Sequence, residues 1–158
     1  MTIKERIVAD LTAAMKAKDP ARLGVVRMLK AKMLEAEVAL RAKKGLDYQL
    51  EDAEAQAVIA AYAKQRRDSI DAYRSGGRAD LAAKEEAELI LVQAYLPRQM
   101  TADEIRAVVR ESIAAAGATS AKEMGAVMKL VMPRVKGVAD GKLVNDIVRE
   151  LLTGSPSG

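Results

Sequence analysis

Helix-start signals recur along this chain, and they constrain its fold more than any other feature. Thr2-Ile3-Lys4-Glu5, Thr101-Ala102-Asp103-Glu104 and Ser120-Ala121-Lys122-Glu123 each have the spacing of a capping box. In that motif a hydroxyl and a carboxylate each satisfy a backbone N–H that the helix terminus leaves without a partner. Asp19-Pro20 is a fourth start. Asp caps there, and Pro takes the first helical position, where its missing N–H does no harm. Thirty of the 158 residues are Ala, and the β-branched residues do not alternate with polar ones as strands require. The expectation is an all-α protein.

Apolar spacing then marks out the elements. Ile3, Ile7, Leu11 and Met15 form a stripe on a helix lasting to Lys18. A second helix runs from Pro20 to Lys44, with Gly45 as its stop. Its Val26, Leu29, Met33, Ala36 and Leu40 step by three and four, as in a helix–helix seam. A third starts near Asp52 and ends at Ser75-Gly76-Gly77. The fourth begins at Arg78-Ala79-Asp80 and is closed by Leu96-Pro97, because the residue before proline disfavours the α region. Next come a helix stopping at Gly117, one headed by the Ser120 box and carrying Met124, Val127, Met128, Val131, Met132 and Val135 until Pro133 and Gly137 bring it to an end, and a last one capped by Asp140. Residues 1–96 are expected to be a four-helix domain with a long helical hairpin. Residues 101–153 are expected to be a small three-helix bundle, and 154–158 a disordered tail.

The chain has no Cys, His, Trp or Phe. Thiolate nucleophiles, Ser–His and Cys–His couples and the common transition-metal ligands are therefore closed to it. Asp68 and Asp71 lie four residues after Lys64 and Arg67, the ordinary pattern of a solvated helix face. No catalytic residue, cofactor or metal is expected. Charge-free runs such as Leu89–Pro97 reach nine residues, far short of the ~18–20 of a spanning helix. Lys4, Glu5, Arg6 and Asp10 stand where a signal peptide needs an apolar core. A cytoplasmic protein without a membrane partner is the expectation.

Two groups of charged residues remain. The inward stripes of the third and fourth helices hold Arg66 on one side and Glu85 and Glu88 on the other. A hairpin turning at Gly76-Gly77 would bring Arg66 opposite position 87, so Arg66 is expected to bridge Glu85, Glu88 or both. Such a pair fixes register, or else forms a charged ligand site. Net charge is +4, with +3 in residues 1–98 and +1 in the remainder. Late in the chain Lys129, Arg134, Lys136, Lys142 and Arg149 lie off the apolar stripes, with Asp140, Asp146 and Glu150 the only acids from residue 129 onward. These cations are expected to contact phosphates, or to be a solvated face.

Taken together, Asp10…Met15-Lys16…Asp19…Arg22-Leu23, Lys64-Gln65-Arg66-Arg67-Asp68-Ser69…Tyr73…Gly77-Arg78 and Tyr95-Leu96-Pro97 resemble the YqeY-like proteins. Met124-Gly125…Met128…Gly137…Ala139-Asp140-Gly141-Lys142…Val144 is similar to the tail domain of the B subunit of glutamine-dependent aminoacyl-tRNA amidotransferases. The usual Gly-Arg-Ala-Asp of that turn is here Gly137-Val138-Ala139-Asp140, without its Arg. The resemblance implies a non-catalytic helical adaptor that binds tRNA. Two alternatives stand beside it. One is a module docking on an aminoacyl-tRNA synthetase or amidotransferase. The other is a carbon–nitrogen ligase taking its nitrogen from glutamine.

Overall fold

The three threonine and serine boxes and the Asp-Pro start all head helical segments in the computed structural model, which describes residues 1–154. Among the described residues all regular structure is helical: α1 (Ile3–Lys16), α2 (Pro20–Lys44), α3 (Asp52–Ser75), α4 (Ala79–Gln93), α5 (Ala102–Ala116), a 3-10 turn (Ala121–Glu123), α6 (Met124–Val135) and α7 (Gly141–Thr153). The chain divides into two compact units, Met1–Leu96 and Pro97–Gly158. Of the tail expected at 154–158, Gly154 is the left-handed C-cap of α7 at φ 69, and 155–158 lie outside the described residues.

At Thr2 the hydroxyl accepts from the Glu5 amide at 3.2 Å while the Glu5 carboxylate accepts from the Thr2 amide at 2.7 Å. Thr101 and Glu104 repeat the exchange at 3.2 and 2.9 Å. At Ser120 the Glu123 carboxylate accepts from the Ser120 amide at 3.3 Å, but the turn it heads is 3-10, and α6 begins only at Met124. Pro133 lies inside α6 rather than at its end. One missing N–H costs the helix one backbone bond, which flanking packing tolerates, so α6 continues to Val135. Gly117, at φ 64, closes α5 in the left-handed region that a side chain disfavours.

The first unit is a four-helix assembly around Ile3, Ile7, Val26, Leu29, Ile59 and Val92, with α3 and α4 packed along each other. Two details depart from the expected stripes. On α1 the core side chain in the last turn is Ala14, while Met15 is 55% exposed. On α2 the seam proceeds from Met33 to Glu37, leaving Ala36 and Leu40 only partly buried. A step of four keeps the 3.6-residue period in phase, so the geometric successor of Met33 is a glutamate. The second unit closes on Ile105, Val109, Val127, Val131, Val135, Val144, Ile147 and Val148. Every one is β-branched. Such side chains are stiff and short, so they lose little rotamer freedom on burial and let the three helices approach closely.

Glu37 is 6% exposed and is surrounded by donors. Lys4 Nζ of α1 reaches it at 2.7 Å and Arg41 Nη2, one turn on, at 2.8 Å. The Leu50 amide, in the loop before α3, donates to it at 2.8 Å. Arg41 Nε also holds the Tyr48 carbonyl at 3.2 Å. The Lys4 bond, followed by the Leu50 amide, lowers the Glu37 carboxyl below its ordinary 4.5. A lowered carboxyl means that the folded state binds the proton less readily than the unfolded chain. Its stabilisation is therefore complete above the ordinary value and is lost as pH falls through the folded-state value. Glu37→Gln is expected to lower stability at neutral pH by about 1–3 kcal/mol, with the gap from wild type narrowing in acid. Urea unfolding at neutral and acidic pH measures both quantities.

Candidate functional site

Helical phase decides where the late cations face. On α6 the buried side chains are Val127, Val131 and Val135. Lys129 lies opposite that stripe and Lys136 follows at the C-cap seven residues on, both exposed. No acidic residue lies between Met124 and Lys136. Arg134 belongs to the flank facing α5, where its Nη2 pairs with Glu111 at 2.7 Å. It thus contributes less unpaired charge than its two neighbours. On α7, Lys142 and Arg149 repeat the seven-residue spacing, opposite buried Val144, Ile147 and Val148. Asp146 stands between them, half-buried, so this second face is mixed in sign. All five cations are exposed on the second unit. Its purest positive surface is the outward face of α6.

The hairpin seam of α3 and α4 brings Arg66 to Glu85, Nη1 to Oε2 at 2.9 Å. The guanidinium also lies over the Tyr62 ring, 5.0 Å from its centroid, and Glu88 acts on it through space. Arg66 and Glu85 are 26% and 16% exposed, so the pair lies largely within the seam. Near the hairpin tip Arg74 pairs with Glu86. These bonds cross between helices and fix how far one can slide along the other.

Sequence reasoning missed a second polar centre in the first unit. Asp10 accepts from Arg22 Nη2 at 3.0 Å and from the Tyr95 hydroxyl. Arg6 stacks on the Tyr95 ring at 5.0 Å and donates to the Ala94 carbonyl at 3.0 Å. The cluster joins α1, α2 and the segment after α4. Burial, and then the Asp10 bond, push the Tyr95 hydroxyl well above its ordinary range, so it remains a proton donor. The available signal was phase: Asp10 continues the Ile3, Ile7, Ala14 face of α1. A third cluster, at the α2–α3 corner, holds Lys44, Tyr48 and Glu54. The bond from the Tyr48 hydroxyl, with the Glu51 amide and Lys44, holds the Glu54 carboxyl down to about 2.

Fold and surface together define a class: a two-unit, all-helical protein in which several ion pairs cross between helices and exposed cations line the second unit. Among the described residues no group of three or more His, Cys, Asp or Glu side chains is arranged to hold a metal ion. No helix there is long and apolar enough to cross a membrane. Residues 4–152 match the family model of the YqeY-like proteins, and the chain belongs to that family. Altered inheritance of mitochondria protein 41, mitochondrial, from Eremothecium gossypii is 38% identical over 87 residues, covering 55% of this chain and 45% of that protein. The protein of the same name from Saccharomyces cerevisiae is 30% identical over 96 residues, covering 61% and 49%. The chain thus spans about half the length of the curated relatives it matches.

The seam pair yields a double-mutant test. Arg66→Met alone leaves the Glu85 carboxylate half-buried without its partner and is expected to cost about 1–3 kcal/mol. Combining it with Glu85→Met is expected to recover most of that loss, because an apolar pair of similar volume about breaks even with a buried ion pair. Denaturant midpoints of the wild type, both single variants and the double variant give the coupling.

Proposed function

We propose that this protein is a non-catalytic, helical tRNA-binding adaptor whose second unit carries the contacts. The observation supporting this most strongly is the outward face of α6, where Lys129, on the helix, and Lys136, at its C-cap, stand seven residues apart with no acid between Met124 and Lys136. A polyanion gains from such a face by releasing condensed counterions, and no base-specific group is needed. Lys142 and Arg149 extend the positive surface along α7, and Arg134 joins it when a phosphate outcompetes Glu111. In this reading the unit is related to the tail of the amidotransferase B subunit. The run from Met124-Gly125 to Gly141-Lys142 supports that kinship. With Val138 in place of the arginine of that turn, phosphate contacts fall to flanking Lys136 and Lys142.

A second reading, docking on an aminoacyl-tRNA synthetase or amidotransferase, is supported by exposed apolar side chains in the first unit. Val8, Leu34 and Val38 are each more than half exposed. The relatives are mitochondrial by name. For this chain the proposal asks only for a compartment that holds tRNA, the cytoplasm or an organelle interior.

Binding of dye-labelled total tRNA, followed by anisotropy over a salt series, tests the leading reading. Affinity is expected to fall steeply with salt. Lys129→Ala/Lys136→Ala is expected to weaken binding and flatten the log–log slope by up to ~0.9 for each phosphate that the variant no longer neutralises. Binding that ignores salt, or an unchanged slope in a variant with native circular dichroism, overturns it. Glutamine turnover by the purified chain would replace it with the ligase reading.

A further inference from the structure

Gly24 occupies the second turn of α2, where glycine weakens a helix relative to alanine. Packing does not require it: a Cβ built there meets nothing within 4 Å. Its φ is not in the left-handed region, so conformation does not require it either. What the missing side chain does is leave space. Gly24 lines an open groove of about 410 Å³ between α2 and α4, together with Ala21, Ala87 and Leu91. That volume lies within the range of small-molecule sites.

Leu91 also lines a smaller recess of about 90 Å³, whose other walls include Arg6, Asp10, Arg22 and Tyr95. This recess has room for several waters. The two spaces thus share Leu91 of α4 as a wall, the larger lined mainly by small and apolar residues with Lys84 and Glu88, the smaller by the charged cluster. Within the charged one, Asp10 is already satisfied by Arg22 and Tyr95. Among the described residues, the Arg6 guanidinium makes its one hydrogen bond to Ala94 and that of Arg22 its one to Asp10. Most of their N–H donors remain for a ligand. Two guanidiniums against one carboxylate leave a net positive site with forked donors, the geometry that recognises a carboxylate in preference to a point charge.

We propose that this composite site binds a small monocarboxylate with an apolar chain. The carboxylate is held between Arg6 and Arg22, and the chain lies in the α2–α4 groove over Gly24 and Leu91. Asp10 and Tyr95 act as positioning residues, since Asp10 aims Arg22 and the Tyr95 ring carries Arg6. The groove is also lined by Lys84 and Glu88, whose opposite charges leave it without a net charge to compete for the anion.

Sodium octanoate is the probe, titrated into the full-length protein and followed by two-dimensional NMR and calorimetry. Saturable binding is expected, with shifts at Arg6, Arg22, Gly24 and Leu91. Octanol, which lacks the charge, and inorganic phosphate, which lacks the chain, are each expected to bind about tenfold more weakly or worse. Gly24→Leu fills the groove without touching the ionic cluster and raises helix propensity, so the variant is expected to fold. It should lose octanoate affinity by about tenfold or more. Arg6→Gln should erase the preference for octanoate over octanol. Octanoate binding that Gly24→Leu leaves unchanged overturns the groove assignment. Equal binding of octanol and octanoate to the wild type overturns the carboxylate assignment, and phosphate binding as tight as octanoate overturns the role of the chain. These outcomes concern the first unit and leave the tRNA reading of the second to its own test.

Discussion

Two carboxylates in phase with apolar stripes hold the first unit in one arrangement. Glu37 receives Lys4 from near the start of α1, and Asp10, farther along the same helix, receives Arg22 from near the start of α2. The antiparallel pair α1–α2 is thus fastened at two levels. Each fastening also reaches a third segment, the Leu50 amide for Glu37 and the Tyr95 hydroxyl for Asp10. Hydrophobic burial favours collapse but is indifferent to small slides of one helix over another. With no Phe or Trp to key the core, the directional bonds select a register. At Glu37, removing a partner leaves a charge in a place water reaches poorly, which is costlier than the pair itself is favourable.

The second unit solves the same problem differently. Its eight buried core residues are all Val or Ile, and shape alone specifies their packing. Of the five late basic residues, Arg134 is committed to Glu111, and the α6 face of Lys129 and Lys136 holds no acid of its own. The difference between the units is therefore chemical as well as topological. The first unit holds a buried carboxylate, Glu37, as a cross-link, while Lys129 and Lys136 of the second are exposed.

The all-helical fold was legible because helix starts are local chemistry. A hydroxyl and a carboxylate three residues apart, or Asp before Pro, declare a terminus without reference to the remainder of the chain. Expectation and structure part where a local rule meets a tertiary one. Pro133 sits within α6 because neighbouring packing outweighs one missing backbone bond, and Met15 yields its place to Ala14 because the helix phase drifts across four turns. The polar centres were much less visible. Glu37 and Asp10 look like ordinary surface acids in a chain with 22 of them. Each has a partner far off in sequence, Lys4 by 33 positions from Glu37 and Tyr95 by 85 from Asp10. The one clue was their phase on the buried stripe. The emptiness beside Gly24 had no signal in the sequence at all, since a helical glycine reads the same whether it permits a close approach or leaves a gap.

The central claim is that the displayed charge of the second unit meets a polyanion. Backbone NMR of the isotope-labelled full-length protein, titrated with unlabelled tRNA, tests this most directly. The amides that shift or broaden first are predicted to cluster around Lys129, Lys136, Lys142 and Arg149, and added salt is predicted to reverse the change. A spectrum that tRNA leaves untouched, or one perturbed only among residues 1–96, would contradict it.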